Sequence, residues 1–347
     1  MRLIDSVAQC HTPFVVRNGT GGQLTALNNT ADCAALVERC PLRYVLSDDL
    51  TRLCVDLAYS KGARAVACAD LLHMPAEMLW LEWSNTPWKD ALQQYGLRLD
   101  PARARWVGRR GAWIRATRDG RRGVVRTFWS VGGEDVFASS VEAYFDFDTA
   151  IGEEPEPVDG KEGLAGRVFD NERSEEDILG RCFRFRYEQS WSEYYGNAGL
   201  SGKLRLALWR HALGTIAMDI PMLLAFLLLL ATRTGLPQRP QTFERLNLRR
   251  LQRGKPPLLD HIEVRAPLLP EYREHRRGEP EATRRSPRLH HVRGHLVRRG
   301  SQIFWRVPHL RGNARSGAVR TRTVVWTFDG PRARAAMVAT PAAGRAH

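Results

Sequence analysis

One segment limits the fold more than any other. Residues 212–231 read ALGTIAMDIPMLLAFLLLLA, an apolar run that has to be taken out of water and is long enough to cross a bilayer. Asp219 and Pro221 interrupt it near the middle, and the unbroken apolar stretch beyond them is only Met222–Ala231. That interruption favours a buried core helix with a proline kink, with a membrane span as the rival reading. A chain of 347 residues can bury a full core in one large or two modest domains. With 43% hydrophobic and 26% charged residues, extensive disorder is excluded.

Around this helix the pattern is that of an α+β protein. The first hundred residues read as helical segments with short breaks. Ser47-Asp48-Asp49 is a helix cap before Leu50–Tyr59, with Gly62 beyond the end. AEMLWLEW, with Trp80 and Trp83, reads as a core or sheet-face segment. From Arg105 the period changes, and RWVGRRGAWIRAT and GVVRTFWSV flank the turn signal Asp119-Gly120, so an antiparallel hairpin is expected. VEAYFDFDTA adds a strand, and residues 152–180, acidic and rich in Gly and Pro, read as a linker. FERLNLRRLQRGKPPL reads as a basic helix or turn ended by Gly254 and Pro256-Pro257, before the short strand HIEVRAPL. The expected division is a body over 1–232 closed by the long helix, a basic β-rich region over 233–330, and a disordered tail over 331–347.

The formal charge of +14 is unevenly spread. Residues 231–347 hold 25 Lys+Arg against 8 Asp+Glu, a net of +17, which leaves 27 against 30 for residues 1–230, a net of −3. Such asymmetry concerns partners rather than fold. Lys255 is the one lysine among those 25 cations. Arginine's planar fork suits phosphates and base edges, although a GC-rich coding bias also replaces Lys by Arg.

The densest block is SPRLHHVRGHLVRRGSQIFWRVPHLRG, residues 286–312. Arg299-Gly300-Ser301 reads as a three-residue hairpin turn. Pairing about Gly300 then puts His295 opposite Trp305 and His291 opposite His309. One face is thereby expected to carry His291, Arg293, His295, Trp305 and His309. In the nucleic-acid reading, Arg288, Arg293, Arg298, Arg299, Arg306 and Arg311 engage phosphates, and Trp305 or Phe304 stacks on a base or packs beneath it. A metal reading of His291, His295 and His309 competes, as does the plain one in which these groups satisfy strand edges and solvent. The block, with Gly254–Leu258 upstream, resembles the C-terminal signature of uncharacterised phage and prophage proteins. The resemblance covers about the last hundred residues, implies a viral or mobile-element setting, and transfers no catalytic residue.

Nothing else points to a reaction or a cofactor. Asn18–Gly22 lacks the lysine of a phosphate loop. Asp146 and Asp148 form a DxD that a metal-dependent nuclease would need, but such pairs are commonly a solvated face. Six cysteines without a CxxC, and an opening without an apolar leader, fit reduced thiols in the cytoplasm. The expectation is therefore a protein that binds DNA or RNA. The alternatives are an adaptor that docks on an acidic protein, and a metal-dependent nuclease.

Overall fold

The computed structural model describes residues 2–9, 15–17, 23–25, 30–60, 68–94, 107–131, 135–148, 183–188, 191, 201–232, 235–267, 288–292, 295–306, 309–311 and 313–318. The expected linker at 152–180, the tail at 331–347 and Asn18–Gly22 lie outside them. The fold is α+β. One compact unit comprises residues 1–269 and 294–307, and a second comprises 270–293 and 308–347.

A nine-stranded mixed sheet is the frame of the first unit. Its strands are β3 (Leu42–Leu46), β4 (Met78–Ser84), β5 (Val107–Ala116), β6 (Arg122–Val131), β7 (Asp135–Ala138), β8 (Val141–Asp146), β9 (Phe183–Tyr187), β10 (Gln238–Gln241) and β11 (His261–Val264). They run in the order β10-β11-β3-β4-β5-β6-β8-β9, with β7 on the far half of β6. β11, β3 and β4 are parallel, and the remaining pairs are antiparallel. A separate short ladder pairs β1 (Val15–Arg17) with β2 (Gln23–Thr25). The expected hairpin is β5–β6, and Gly120 at its turn has φ +71° with Met74 backbone atoms crowding the space a side chain would fill.

Because strand side chains alternate, β4 feeds both faces of the sheet. Leu79, Leu81 and Trp83 enter the larger core, and Trp80 enters the smaller one. The larger core is covered by α3 (Asp48–Ser60), α4 (Asn85–Gln94) and the long α5 (Gly202–Leu230). On the other face lie α1 (Leu3–Ala8) and α2 (Thr30–Glu38). Ser47 caps α3, its Oγ accepting from the Leu50 amide at 3.3 Å.

α5 is the apolar segment, and it runs through Pro221 as one helix capped by Ser201. Over Ala207–Leu230 its most apolar window is 76% buried within the protein. The charge that interrupts the run has a partner: Arg110 of β5 donates to both Asp219 oxygens at 3.2 and 3.1 Å. The same guanidinium donates to Asn85 Oδ1 at 2.9 Å and lies 4.1 Å over the Trp88 ring. Burial nevertheless dominates, and it pushes the Asp219 carboxyl up to about 6, with Arg110 pulling the other way. Glu82 on the opposite face is fully buried too, where it accepts from the Leu3 and Ile4 amides at 2.9 Å and from Arg109 and Trp80.

The boundary expected at 232/233 is not where the compact units divide. β11 inserts beside β3 and Val264 enters the larger core, so the chain beyond the long helix completes the body's own sheet. Pairing between residues so distant in sequence leaves no local trace.

Candidate nucleic-acid interface

The terminal hairpin is made by β13 (His295–Arg299) and β14 (Gln302–Arg306). Gly300 has φ +58°, which a two-residue primed turn requires of its first residue. Closing on Gly300 and Ser301 pairs Arg299 with Gln302, Leu296 with Trp305 and His295 with Arg306. This corrects the expected three-residue turn by one position, and His295 faces Arg306 rather than Trp305. A one-residue slip exchanges the faces of a strand, and burial explains which register holds. Leu296, Ile303 and Trp305 share the inner face at 5%, 4% and 5% exposure and join the larger core.

Two candidate residues change role as a result. Trp305 is a core side chain that supports the hairpin from beneath, and its ring is not offered to a base. Arg298, on the inner side of the hairpin's rim, is held by Asp70 in two hydrogen bonds of 2.8 Å, so a body carboxylate already neutralises it.

The outward face carries His295, Val297 and Arg299 beside Gln302, Phe304 and Arg306. Arg299, Gln302 and Arg306 are exposed, while His295, Val297 and Phe304 are half-buried. The Arg299 guanidinium lies 5.8 Å from the Phe304 ring centroid, within reach of a cation–π contact. Among the described residues, no carboxylate forms an ion pair with Arg299 or Arg306. Two guanidiniums, an imidazole and a partly covered aromatic ring thus share one solvent-facing surface.

The other five candidates fall in the second unit or at its edge. Arg293 lies outside the described residues. Arg288 and His291 are on β12 (Arg288–Val292), and His309 and Arg311 are on β15 (His309–Arg311). β12 pairs antiparallel with β15, Val292 with His309 and His291 with Leu310. The expected pairing of His291 with His309, on which the meeting of three imidazoles rested, does not form. Arg288 pairs with Asn313 of β16 (Asn313–Ala318).

The nuclease reading finds its DxD already engaged. Arg122 pairs with Asp146 at 3.2 Å and Arg121 with Asp148 at 2.7 Å. Among the described residues no three His, Cys, Asp or Glu side chains are grouped to hold a metal ion. Burial raises the Cys40 thiol to about 11 and raises Cys54 and Cys68 as well, which keeps them protonated and poorly nucleophilic.

A second basic element lies on the excursion between β10 and β11. α6 (Glu244–Gln252) has no buried residue, and Arg245, Arg249, Arg253 and Lys255 are exposed around it. The helix and the Gly254 stop, which has φ +65°, agree with the sequence. Its three exposed leucines were not legible, because exposure depends on what the rest of the chain leaves uncovered. No protein-family model, curated protein or solved structure matches this chain.

Proposed function

We propose that this protein binds nucleic acid through the outward face of β13–β14, in the phage or prophage setting that its terminal signature implies. Arg299 and Arg306 take phosphate oxygens, His295 and Gln302 supply further polar contacts, and Phe304 with its overlying guanidinium offers a platform beside a base. The observation that carries the reading is the pair of exposed arginines on one face, without a described carboxylate partner, beside a half-buried aromatic ring. Their hairpin is anchored by Leu296, Ile303 and Trp305 in the core, so the face is rigid before a ligand arrives.

The test is fluorescence anisotropy of a labelled single-stranded oligonucleotide titrated with the full chain at several salt concentrations. Each neutralised phosphate releases condensed counterions, so affinity is expected to fall steeply between about 50 and about 200 mM salt. Equal affinity across that range rules the proposal out.

A further inference from the structure

Of the four most exposed large apolar side chains among the described residues, three lie on the nine-residue α6: Leu246 at 45%, Leu248 at 63% and Leu251 at 57%. Residues three apart are neighbours on a helix, so Arg245, Leu248 and Leu251 form one ridge, with Arg249 and Gln252 alongside. Leu246 lies on the far side of Arg249, towards Arg250 and Arg253. The leucines are therefore interleaved with cations, and Glu244 is the sole acid of the helix.

A helix this short does not hold itself together in water, yet this one is fixed in place by its surroundings. The Phe243 amide donates to Asp260 Oδ1 at 2.8 Å. Asn247 meets the Leu258 backbone twice, its Oδ1 accepting at 2.8 Å and its Nδ2 donating at 2.9 Å. Arg250 Nε donates to the Pro256 carbonyl at 2.9 Å. The GKPPL segment so recruited is itself tied to the body. The Leu259 amide donates to Asp5 at 2.9 Å, Arg43 donates to the Asp260 carbonyl at 3.3 Å, and Leu259 packs on the smaller core. A strut built at this cost in ordered backbone holds out a helix that contributes nothing to the core.

We infer that α6 is a docking element for a partner protein, which lays an acidic, leucine-rich amphipathic helix across Leu248 and Leu251. Charge complementarity selects this occupant. Exposed Arg245, Arg249 and Arg253 run along one flank of Leu248 and Leu251, between them and Leu246, and exposed Lys255 follows the helix, so carboxylates alongside an apolar stripe match the surface in both respects. A second copy of α6 brings like charge against like. Nucleic acid uses the arginines but gains little by covering the leucines, and a flat anionic membrane leaves leucines on two sides of the helix unequally served.

The test uses the full-length protein and two labelled synthetic peptides of identical Glu and Leu composition, one arranged as an amphipathic helix and one scrambled. The amphipathic peptide is expected to bind at least tenfold tighter. Leu248→Ser with Leu251→Ser abolishes that difference while leaving the melting temperature unchanged, because neither side chain is buried. Arg245→Glu with Arg249→Glu weakens both peptides. Equal binding of the two isomers, or a Leu248→Ser/Leu251→Ser protein that still discriminates between them, overturns the inference. So does a leucine dependence seen only with phosphatidylglycerol vesicles or an oligonucleotide. Arg299→Ala with Arg306→Ala leaves peptide binding intact, which separates this surface from the hairpin.

Discussion

Asp219 and Arg110 show how one buried pair decides where an apolar helix goes. Asp219 is 1% exposed and its partner reaches it from the middle of the sheet, so the charge that would disfavour a bilayer anchors α5 in the core instead. Asp219→Leu strands the guanidinium without a counter-charge and is expected to cost about 3–5 kcal/mol in denaturant unfolding. Replacing Arg110 as well, by methionine, should recover most of that loss. The pair also carries a pH signature. Burial raises the Asp219 carboxyl to about 6 in the folded state, above its unfolded value. The folded chain thus binds the extra proton, and the resulting stability is complete below the ordinary carboxylate range and lost as pH rises through about 6. Compared with Asp219→Asn, which cannot ionise, the wild-type chain should lose stability over that window; parallel pH profiles for the two proteins would contradict the assignment. Trp305 offers the complementary case. Trp305→Ala is expected to cost about 3–5 kcal/mol as a core truncation, whereas a tryptophan that stacked on bases would leave the unfolding midpoint nearly unchanged.

At the level of elements, the terminal hairpin rests on its turn. Gly300 has φ +58° in open space, so Gly300→Ala meets no clash and tests backbone conformation alone. The cost expected in thermal unfolding is about 1–2 kcal/mol. That turn also marks where the sequence stopped being legible. Glycine serves two- and three-residue loops alike, and the choice between them rests on which register buries Leu296, Ile303 and Trp305 together. Where local chemistry suffices, the reading was sound: Ser47 caps α3, Asp119-Gly120 closes β5–β6, and the apolar run forms α5. The parallel insertion of β11 beside β3 was not readable, since Ile262 and Tyr44 meet only in the folded sheet. In the site itself, Arg299, Arg306 and His295 were identifiable by type and alternation. The engagement of Arg298 by Asp70, 228 residues away, was not.

Over the whole molecule, the excess of arginine in the last third is divided among distinct settings. α6 carries several cations around exposed leucines, the outward hairpin face carries Arg299 and Arg306, and Arg298 is spent on the body. Net charge alone therefore overstates what any one surface can do, and the arginines have to be separated by their contacts. The most direct measurement compares the salt dependence of oligonucleotide affinity for the wild-type chain, Arg299→Ala/Arg306→Ala and Arg298→Ala. Loss of two phosphate contacts should make the log–log slope of the double variant shallower by about 1.4 for a single strand, while Arg298→Ala keeps the wild-type slope. A double variant with the wild-type slope, or a slope that responds to Arg298 instead, would contradict the claim that the outward face of β13–β14 meets the phosphates.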